Sequence, residues 1–304
     1  MVLKQIYQIL AKYLFYLSVA LCIPLLTAFY YQFIADPSLH PQPHSTWAFF
    51  LTLFLSLGAS ALFQFAGRKG EGSLYRRESI LLVVLIWFVS GIVSAFPFYF
   101  SRTLTHPVDA FFEAMSGLTT TGSTVLCPKM YQPDTGEEIP IHITNPHIPD
   151  RTYIYFGTVA PIRDPDTGLI LYSGIEAVSK ALLLWRSLLQ WIGGMGIVVI
   201  FLTVLPILGV GGKFLYQMEM TGPIKDGISP RVKDTALHLG KLYLTFTLIE
   251  IVLLMATNRA MPFFDAVCIS FSNISTGGFS VRNESIASYQ SSSTEWIVDN
   301  TNSP

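Results

Sequence analysis

The chain contains, between Asp109 and Val125, the run Asp-Ala-Phe-Phe-Glu-Ala-Met-Ser-Gly-Leu-Thr-Thr-Thr-Gly-Ser-Thr-Val, and this run decides the fold class. Its apolar first half is too short to cross a bilayer, which takes about 20 apolar residues per helix. A segment of this length is typical of a re-entrant or interfacial helix. The Thr/Gly half is a poor helix former, so we expect the helix to end there in irregular backbone.

A second copy of this run lies 156 residues further along the chain, from Asp265 to Val281. Identical residues recur without a gap at six positions, which in the first copy are Asp109, Ala110, Ser116, Thr120, Gly122 and Val125. A lone Thr/Gly run could be an ordinary loop. Two copies in register favour a shared site instead, because internal repeats of membrane transporters commonly form a site where they meet.

The two Thr/Gly runs, 119–124 and 275–280, have the composition of a cation filter. Glycine lets successive carbonyls turn the same way, and a ring of carbonyls can replace the water shell of a monovalent cation. The C-terminal end of the short helix adds partial negative charge nearby. We predict that the backbone binds the cation at Thr120, Thr121, Gly122, Ser123, Thr276, Gly277 and Gly278. Asp109 and Asp265 suit the opposite helix ends as N-caps.

The composition indicates a membrane protein with several spans. Hydrophobic residues make up 51% of the 304 residues, charged residues 13%, and the mean hydropathy is +0.48. A net charge of −1 argues against nucleic-acid binding, because no basic surface is available to neutralise phosphates. Three widely spaced cysteines form neither a disulfide framework nor a zinc pattern. No catalytic or nucleotide-binding motif occurs, so we predict that the chain is not an enzyme and has no cofactor.

Hydropathy predicts five spans, at about 12–34, 45–66, 79–100, 178–207 and 238–257. The loops at 67–78 and 208–237 are basic and lie on the same side as the N-terminus, which we therefore expect to be cytoplasmic. Residues 127–176, on the other side, carry three basic and seven acidic residues. Their Pro, Asp and Gly content favours turns and short strands. We expect 127–168 to form an outer cap with no part in the ion pathway.

Several residues in the fourth span allow two interpretations. Arg186 is either functional or an arginine that reaches the outer membrane interface. Gly193, Gly194 and Gly196 could let this helix approach a pore loop closely, although simple helix packing is the favoured account. Glu250 in the fifth span is either a polar partner within the helix bundle or a protonated or hydrogen-bonded structural residue, and the structural account is slightly favoured.

The two repeated runs resemble the first and second pore loops of the Trk/Ktr/HKT superfamily of potassium transporters. The run from Trp185 to Ile197, with Gly211-Gly212 and Gly222-Pro223, is similar to the bacterial TrkH/TrkG branch. The resemblance covers most of residues 1–281. It implies an all-α polytopic membrane protein, built from helix–pore loop–helix repeats of potassium-channel type with an extra N-terminal helix pair. The transported ion would be potassium.

The resemblance also implies how the chain is organised. Residues 1–66 would form the N-terminal helix pair, and 67–207 the first repeat with its insertion at 127–168. Residues 208–304 would form a cytoplasmic loop and an incomplete second repeat of helix, pore loop and polar tail. Only two of the family's four filter quarters are present, so the chain is either part of a potassium uptake protein or a structural half that conducts only when paired.

Partners and location are implied in the same way. The expected location is the bacterial inner membrane, with the N-terminus cytoplasmic and the C-terminus of this chain outside. The family resemblance implies a homodimer and a cytosolic nucleotide-binding regulatory subunit that docks on the inner loops.

Overall fold

The computed structural model describes residues 2–35, 43–68, 76–132, 136–145, 148–208 and 230–302. This part of the chain contains eight α-helices. They are α1 Val2–Phe33, α2 Thr46–Ala66, α3 Arg76–Phe100, α4 Pro107–Leu118, α5 Lys180–Leu208, α6 Pro230–Thr257, α7 Phe263–Ile274 and α8 Ser292–Asn302. The fold is mainly helical, as the sequence predicts.

Helices α4 and α7 are the two short apolar segments identified in the sequence, and each is 12 residues long. At 1.5 Å per residue this length spans little more than half of a hydrocarbon core of about 30 Å. Pro107 begins α4 at the first helical position, where its missing N–H costs nothing. Both segments are therefore short helices rather than spans, as predicted.

Four helices of the described chain are long and apolar enough to cross a membrane. These are Leu3–Phe33, Thr46–Ala66, Glu78–Phe100 and Asp234–Thr257. Helix α5 has 29 residues and coincides with the remaining predicted span. Most of the two loops predicted to be basic and cytoplasmic, including Lys69, Lys213 and Lys225, lies outside the described residues.

Helix α5 is the centre of the bundle, because it contacts α1, α3, α4, α6 and α7. Leu182, Leu183, Trp185 and Leu189 are fully buried along its first half. The Trp185 indole Nε1 donates to the Ser94 carbonyl at 3.1 Å, which satisfies its only polar atom inside the core. The outer faces of α1, α2, α3 and α6 instead expose large apolar side chains such as Phe54 and Leu62, as a lipid-facing surface would.

The predicted outer cap consists of three antiparallel hairpins. Their strands are β1 Met130–Tyr131, β2 Glu138–Ile139, β3 Ile141–Asn145, β4 Ile148–Tyr155, β5 Ile162–Arg163 and β6 Ile170–Tyr172, paired in sequence order. A 3₁₀ turn at Gly174–Ala177 then leads into α5. The prediction of turns and short strands for 127–176 is confirmed, and the last strand extends four residues beyond the cap predicted at 127–168.

The C-terminal segment contains more structure than the polar tail that the sequence predicts. A 3₁₀ turn at Ser285–Tyr289 precedes α8, an 11-residue helix. Ile297 and Thr294 of α8 are buried, and α8 contacts both α6 and α7. The first repeat has the same order, because a 3₁₀ turn precedes α5 and α5 contacts α3 and α4. The polar composition concealed an amphipathic helix of about three turns.

Candidate cation filter

The two Thr/Gly runs have the same backbone conformation. Thr120 and Thr276 have φ values of 55° and 53°, and Gly122 and Gly278 have values of 75° and 77°. Threonine rarely adopts this left-handed region, because a β-branched side chain crowds the backbone there. Two threonines in this conformation at equivalent positions of a sequence repeat therefore indicate that the two runs are copies of one structural element.

Hydrogen bonds at the ends of the short helices repeat as well. The amide of Thr121 donates to the Ser116 carbonyl at 3.0 Å, and the amide of Gly277 donates to the Ser272 carbonyl at 2.7 Å. In each helix end the residue before the donor, Thr120 or Thr276, has the left-handed conformation, which turns the chain sharply away from the helix axis. The runs thus begin directly at the helix C-termini, where the helix dipole places a partial negative charge.

The two runs touch each other at Gly122. A Cβ atom built on Gly122 would lie 2.1 Å from the carbonyl oxygen of Gly277, a separation that no side chain can occupy. Gly122 therefore must be glycine for two reasons, its positive φ and this contact. A Cβ on Gly278 would meet nothing within 4 Å among the described residues. The first run lies against the second, and the second has an open side.

All seven predicted filter residues lie in these two runs, directly after α4 and α7. Thr121, Ser123, Thr276 and Gly278 are exposed, Thr120 and Gly122 are half-buried, and Gly277 is buried. The carbonyl of Ser123 already accepts a hydrogen bond of 2.6 Å from the Ser116 hydroxyl. A carbonyl oxygen has two lone pairs, so Ser123 keeps one for a further partner.

A buried ion pair fixes the first run. Glu113 is 0% exposed and Arg186 is 2% exposed, and Arg186 Nε lies 2.7 Å from Glu113 Oε1. The Thr124 hydroxyl donates to the Glu113 carboxylate at 3.0 Å, and the Val125 amide donates to it at the same distance. Glu113 thus holds the residues that directly follow Ser123. Its own charge is balanced by Arg186.

Arg186 also reaches the second run. Its Nη1 donates to the Ser280 carbonyl at 3.2 Å, and the guanidinium carbon lies 4.0 Å from the centre of the Phe279 ring. The sequence allows two interpretations of Arg186. The interpretation that it reaches the outer membrane interface is wrong, because the side chain is buried within the protein. Arg186 instead links the two runs through hydrogen bonds and a cation–π contact.

Other residues of α5 fit closely around the runs. Gln190 accepts a hydrogen bond of 3.2 Å from the Phe279 amide. A Cβ on Gly193 would lie 1.9 Å from the Leu118 carbonyl oxygen, and a Cβ on Gly194 would lie 3.0 Å from Ser275 Cβ. Gly193 and Gly194 therefore allow α5 to pass the ends of both short helices. At Gly193 this is packing of α5 on the last turn of α4, the account that the sequence favours, and at Gly194 it is a close approach to the first residue of the second run. A Cβ on Gly196 would meet nothing within 4 Å among the described residues.

Glu250 has the structural role that the sequence favoured. It is 1% exposed and accepts a hydrogen bond from the Asn273 side-chain amide near the end of α7.

The predicted N-caps are wrong. Asp109 and Asp265 each occupy the third helical position, and neither His106 nor Pro262, which stand at the N-caps, caps its helix through a side chain. Asp265 instead accepts hydrogen bonds from Arg282 at 2.9 Å and from the Tyr289 hydroxyl at 2.8 Å. Burial and the nearby Asp265 charge raise the pKa of Tyr289, so its hydroxyl remains protonated and donates.

The site offers backbone oxygens and hydroxyl groups to an ion. Within the described residues, no group of three His, Cys, Asp or Glu side chains could hold a metal ion. Oxygen ligands without a cluster of carboxylates suit a weakly held monovalent cation, which must both enter and leave.

Comparisons with known proteins agree on one family. The family model described as "TrkH: Cation transport protein" matches residues 163–300. The Trk system potassium uptake proteins TrkH of Salmonella typhimurium and Escherichia coli K12 are each 36% identical over 253 residues, which is 83% of this chain and 42% of the relative. TrkG of Escherichia coli K12 is 32% identical over 259 residues, 84% of this chain and 43% of the relative.

A solved structure supports the same assignment. The crystal structure of the potassium transporter TrkH from Vibrio parahaemolyticus matches with a TM-score of 0.70 and 29% identity, over 99% of this chain and 49% of that one. The chain thus spans less than half the length of the relatives that it matches. Sequence, backbone geometry and these comparisons agree, and the chain belongs to the TrkH family of cation transport proteins.

Proposed function

We propose that this chain supplies two pore loops to a potassium uptake pathway, and that potassium exchanges its water shell for carbonyl oxygens of the seven filter residues. The observation that carries this proposal is the contact between the two runs at Gly122 and Gly277. Two copies of one irregular backbone, joined at their glycines and following two helix C-termini, form part of a ring of acceptors.

Potassium is the proposed ion because the relatives are named potassium uptake proteins. The buried surroundings of the runs support discrimination between ions. Arg186 and Gln190 hold the backbone of the second run through hydrogen bonds, and Glu113 holds the backbone directly after the first run. A filter held in this way resists collapse onto an ion of the wrong size, although the relative weight of cavity size and carbonyl field is debated for filters in general.

The same proposal includes location and partners. The chain would lie in the bacterial inner membrane with its N-terminus in the cytoplasm and residues 127–176 outside. It would act as a transporter rather than an enzyme. It would form a homodimer and bind a cytosolic nucleotide-binding regulatory subunit on its cytoplasmic loops. The positive-inside distribution of Lys and Arg supports the orientation.

The test uses a bacterial strain that lacks its own potassium uptake systems. One culture expresses residues 1–304, and another expresses a fusion of this chain to the C-terminal part of Vibrio parahaemolyticus TrkH that the chain does not cover. We call the second protein the fused transporter. We expect it to restore growth at low potassium and to take up rubidium, with weak inhibition by sodium.

Expression of residues 1–304 alone separates a conducting chain from a non-conducting structural half. Growth at low potassium with this chain alone would contradict the second of these accounts. A fused transporter that reaches the membrane in normal amount, yet takes up neither potassium nor rubidium, would contradict the proposed function.

A further inference from the structure

The outer region 127–176 is hydrogen-bonded to the chain that directly follows the first Thr/Gly run. The Thr158 hydroxyl donates to the Val125 carbonyl at 2.7 Å and accepts from the Cys127 amide at 3.1 Å. Val159 is 5% exposed, and its carbonyl accepts the Lys129 amide at 2.8 Å. The chain directly after the first run is therefore bound to Thr158 and Val159, which lie some thirty positions later in sequence.

The end of the outer region 127–176 is bound to the chain that follows the second run. The side chain of Asn283 donates to the Ser173 carbonyl at 2.9 Å and accepts from the Ile175 amide at 3.0 Å. Asn283 is the third residue after Ser280, where the second run ends. Gly174 has a φ of 59°, and a Cβ on it would lie 2.5 Å from Asn283 Oδ1, so only glycine allows this approach.

Charged groups strengthen the second contact. Arg282 Nη2 lies 2.9 Å from Asp265 Oδ2 at the start of α7, and Nη1 lies 3.8 Å from Glu176 Oε1 in the 3₁₀ turn. Asp265 is 1% exposed, so its charge depends on Arg282 for compensation. The segment after the second run is thus bound both to the end of the outer region 127–176 and to its own short helix.

A short and well-packed piece of chain joins the two contacts. Between Thr158 and Ser173, strands β5 and β6 pair at Ile162 and Tyr172. The side chains of Ile162, Tyr172 and Ile175 pack against the main hydrophobic core together with Val159. A hairpin that is closed at its base and packed on the core keeps its two ends at a fixed distance better than a free loop does, because few backbone angles between the ends can change.

We propose that residues 157–177 form an outer clamp that fixes the spacing of the two filter runs, with Thr158 and Asn283 as its positioning residues. This inference rests on the proposed function, since the spacing matters only if the runs bind ions. It departs from the sequence-based expectation that the cap has no part in the ion pathway. The clamp acts through the backbone of the two runs and makes no contact with the ion itself.

The experiment measures rubidium uptake and its inhibition by sodium in the fused transporter. Thr158→Val removes the hydroxyl but keeps the side-chain shape, and Asn283→Ala removes the hydrogen bonds to Ser173 and Ile175. The matched control is Thr167→Val. It removes a hydroxyl that donates to Asp164 at 2.6 Å in the turn of the β5–β6 hairpin, away from both runs.

We expect Thr158→Val and Asn283→Ala each to lower the preference for rubidium over sodium by about three- to tenfold, because each removes two hydrogen bonds. Thr167→Val should behave as wild type, and Thr158→Ser, which keeps the hydroxyl, should restore most of the preference. If Thr158→Val does not reach the membrane, the exposed Asn283 position decides the question alone.

Two results would overturn the clamp. In the first, wild type takes up rubidium and both Thr158→Val and Asn283→Ala discriminate as it does. In the second, Thr167→Val lowers the preference as much as they do. A wild-type fused transporter that reaches the membrane and takes up no rubidium would instead contradict the proposed function, so the two failures are distinguishable.

A double-mutant cycle gives a second measurement. Gly174→Ala alone should push Asn283 away, whereas Gly174→Ala with Asn283→Ala removes the atom that the new Cβ would meet. The two substitutions should therefore be non-additive in their effect on ion preference. Additive effects would show that the two residues do not act through one contact and would overturn this part of the clamp.

Discussion

Glu113→Gln should destabilise the fold strongly, because it leaves the Arg186 charge buried without its partner. Both side chains are almost completely buried, at 0% and 2% exposed, and their closest atoms are 2.7 Å apart. Removing one member of such a pair typically costs about 3–5 kcal/mol, a large fraction of the 5–15 kcal/mol that a folded domain has in total. The neutral amide also provides one acceptor oxygen where the carboxylate provides two.

The chain contains a matched control for this substitution. Lys129 and Glu138 form an ion pair at 3.0 Å in the outer insertion, but each side chain is 29% exposed. Glu138→Gln should cost about 0–1 kcal/mol, because water solvates the lysine that is left. The two variants make the same chemical change, so the difference between them reports burial.

The assay is thermal unfolding of the purified protein in detergent, with the amount of protein in the membrane as a second measure. Glu113→Gln should lower the midpoint far more than Glu138→Gln does. The double variant Glu113→Gln with Arg186→Gln should recover part of the loss, since no unpaired charge remains. Equal midpoints for Glu113→Gln and Glu138→Gln would refute the reasoning, and so would strict additivity in the double variant.

Three further results are expected. Gly122→Ser in the fused transporter should weaken the preference for rubidium over sodium. The new Cβ and the Gly277 oxygen must separate by about 0.9 Å to reach 3.0 Å, which is more than the ~0.5 Å that a binding site tolerates. Uptake and preference equal to wild type would contradict this prediction. Gly193→Ala should sharply reduce the folded fraction recovered in detergent, whereas Gly196→Ala should not; equal yields would contradict the packing of α5 on α4. Glu284→Cys, in a variant without the native cysteines, should react with a membrane-impermeant thiol reagent in intact cells. Reaction only after cell lysis would contradict the proposed orientation, in which the segment after the second run lies outside.

The sequence predicts the elements that depend on local pattern. The short helices α4 and α7 follow from their length and apolar composition, and the equivalence of the two runs follows from identical residues at one offset. Positive φ at Gly122 and Gly278 is expected for glycine in such a run, but the same conformation at Thr120 and Thr276 is not. Threonine has no local preference for it, so the surrounding contacts must impose it.

Contacts between distant positions are not predicted. Glu113 and Arg186 are 73 residues apart, and each is merely a charge in an apolar segment when taken alone. The rarity of such charges was the one available signal, and it did not identify the partner. The neighbours of Asp265 fit the pattern of a helix start, which predicts a cap there. Its partner in the structure is Arg282, 17 residues later, and only the tertiary structure identifies this contact.

The two runs have the same backbone conformation, but they touch through different surfaces, Gly122 of the first and the Gly277 carbonyl of the second. Between subunits of an assembly, a contact of this kind is called heterologous. The first run supplies the glycine that meets a carbonyl, and the second run supplies the carbonyl. Such contacts propagate by rotation and end only in a closed ring or an open series. The open side of Gly278 is the face that a further run would cover, where glycine would again be required for close approach. Substitution of Gly278 should therefore be tolerated in this chain alone, at the cost of backbone strain, and become disruptive once the ring is closed.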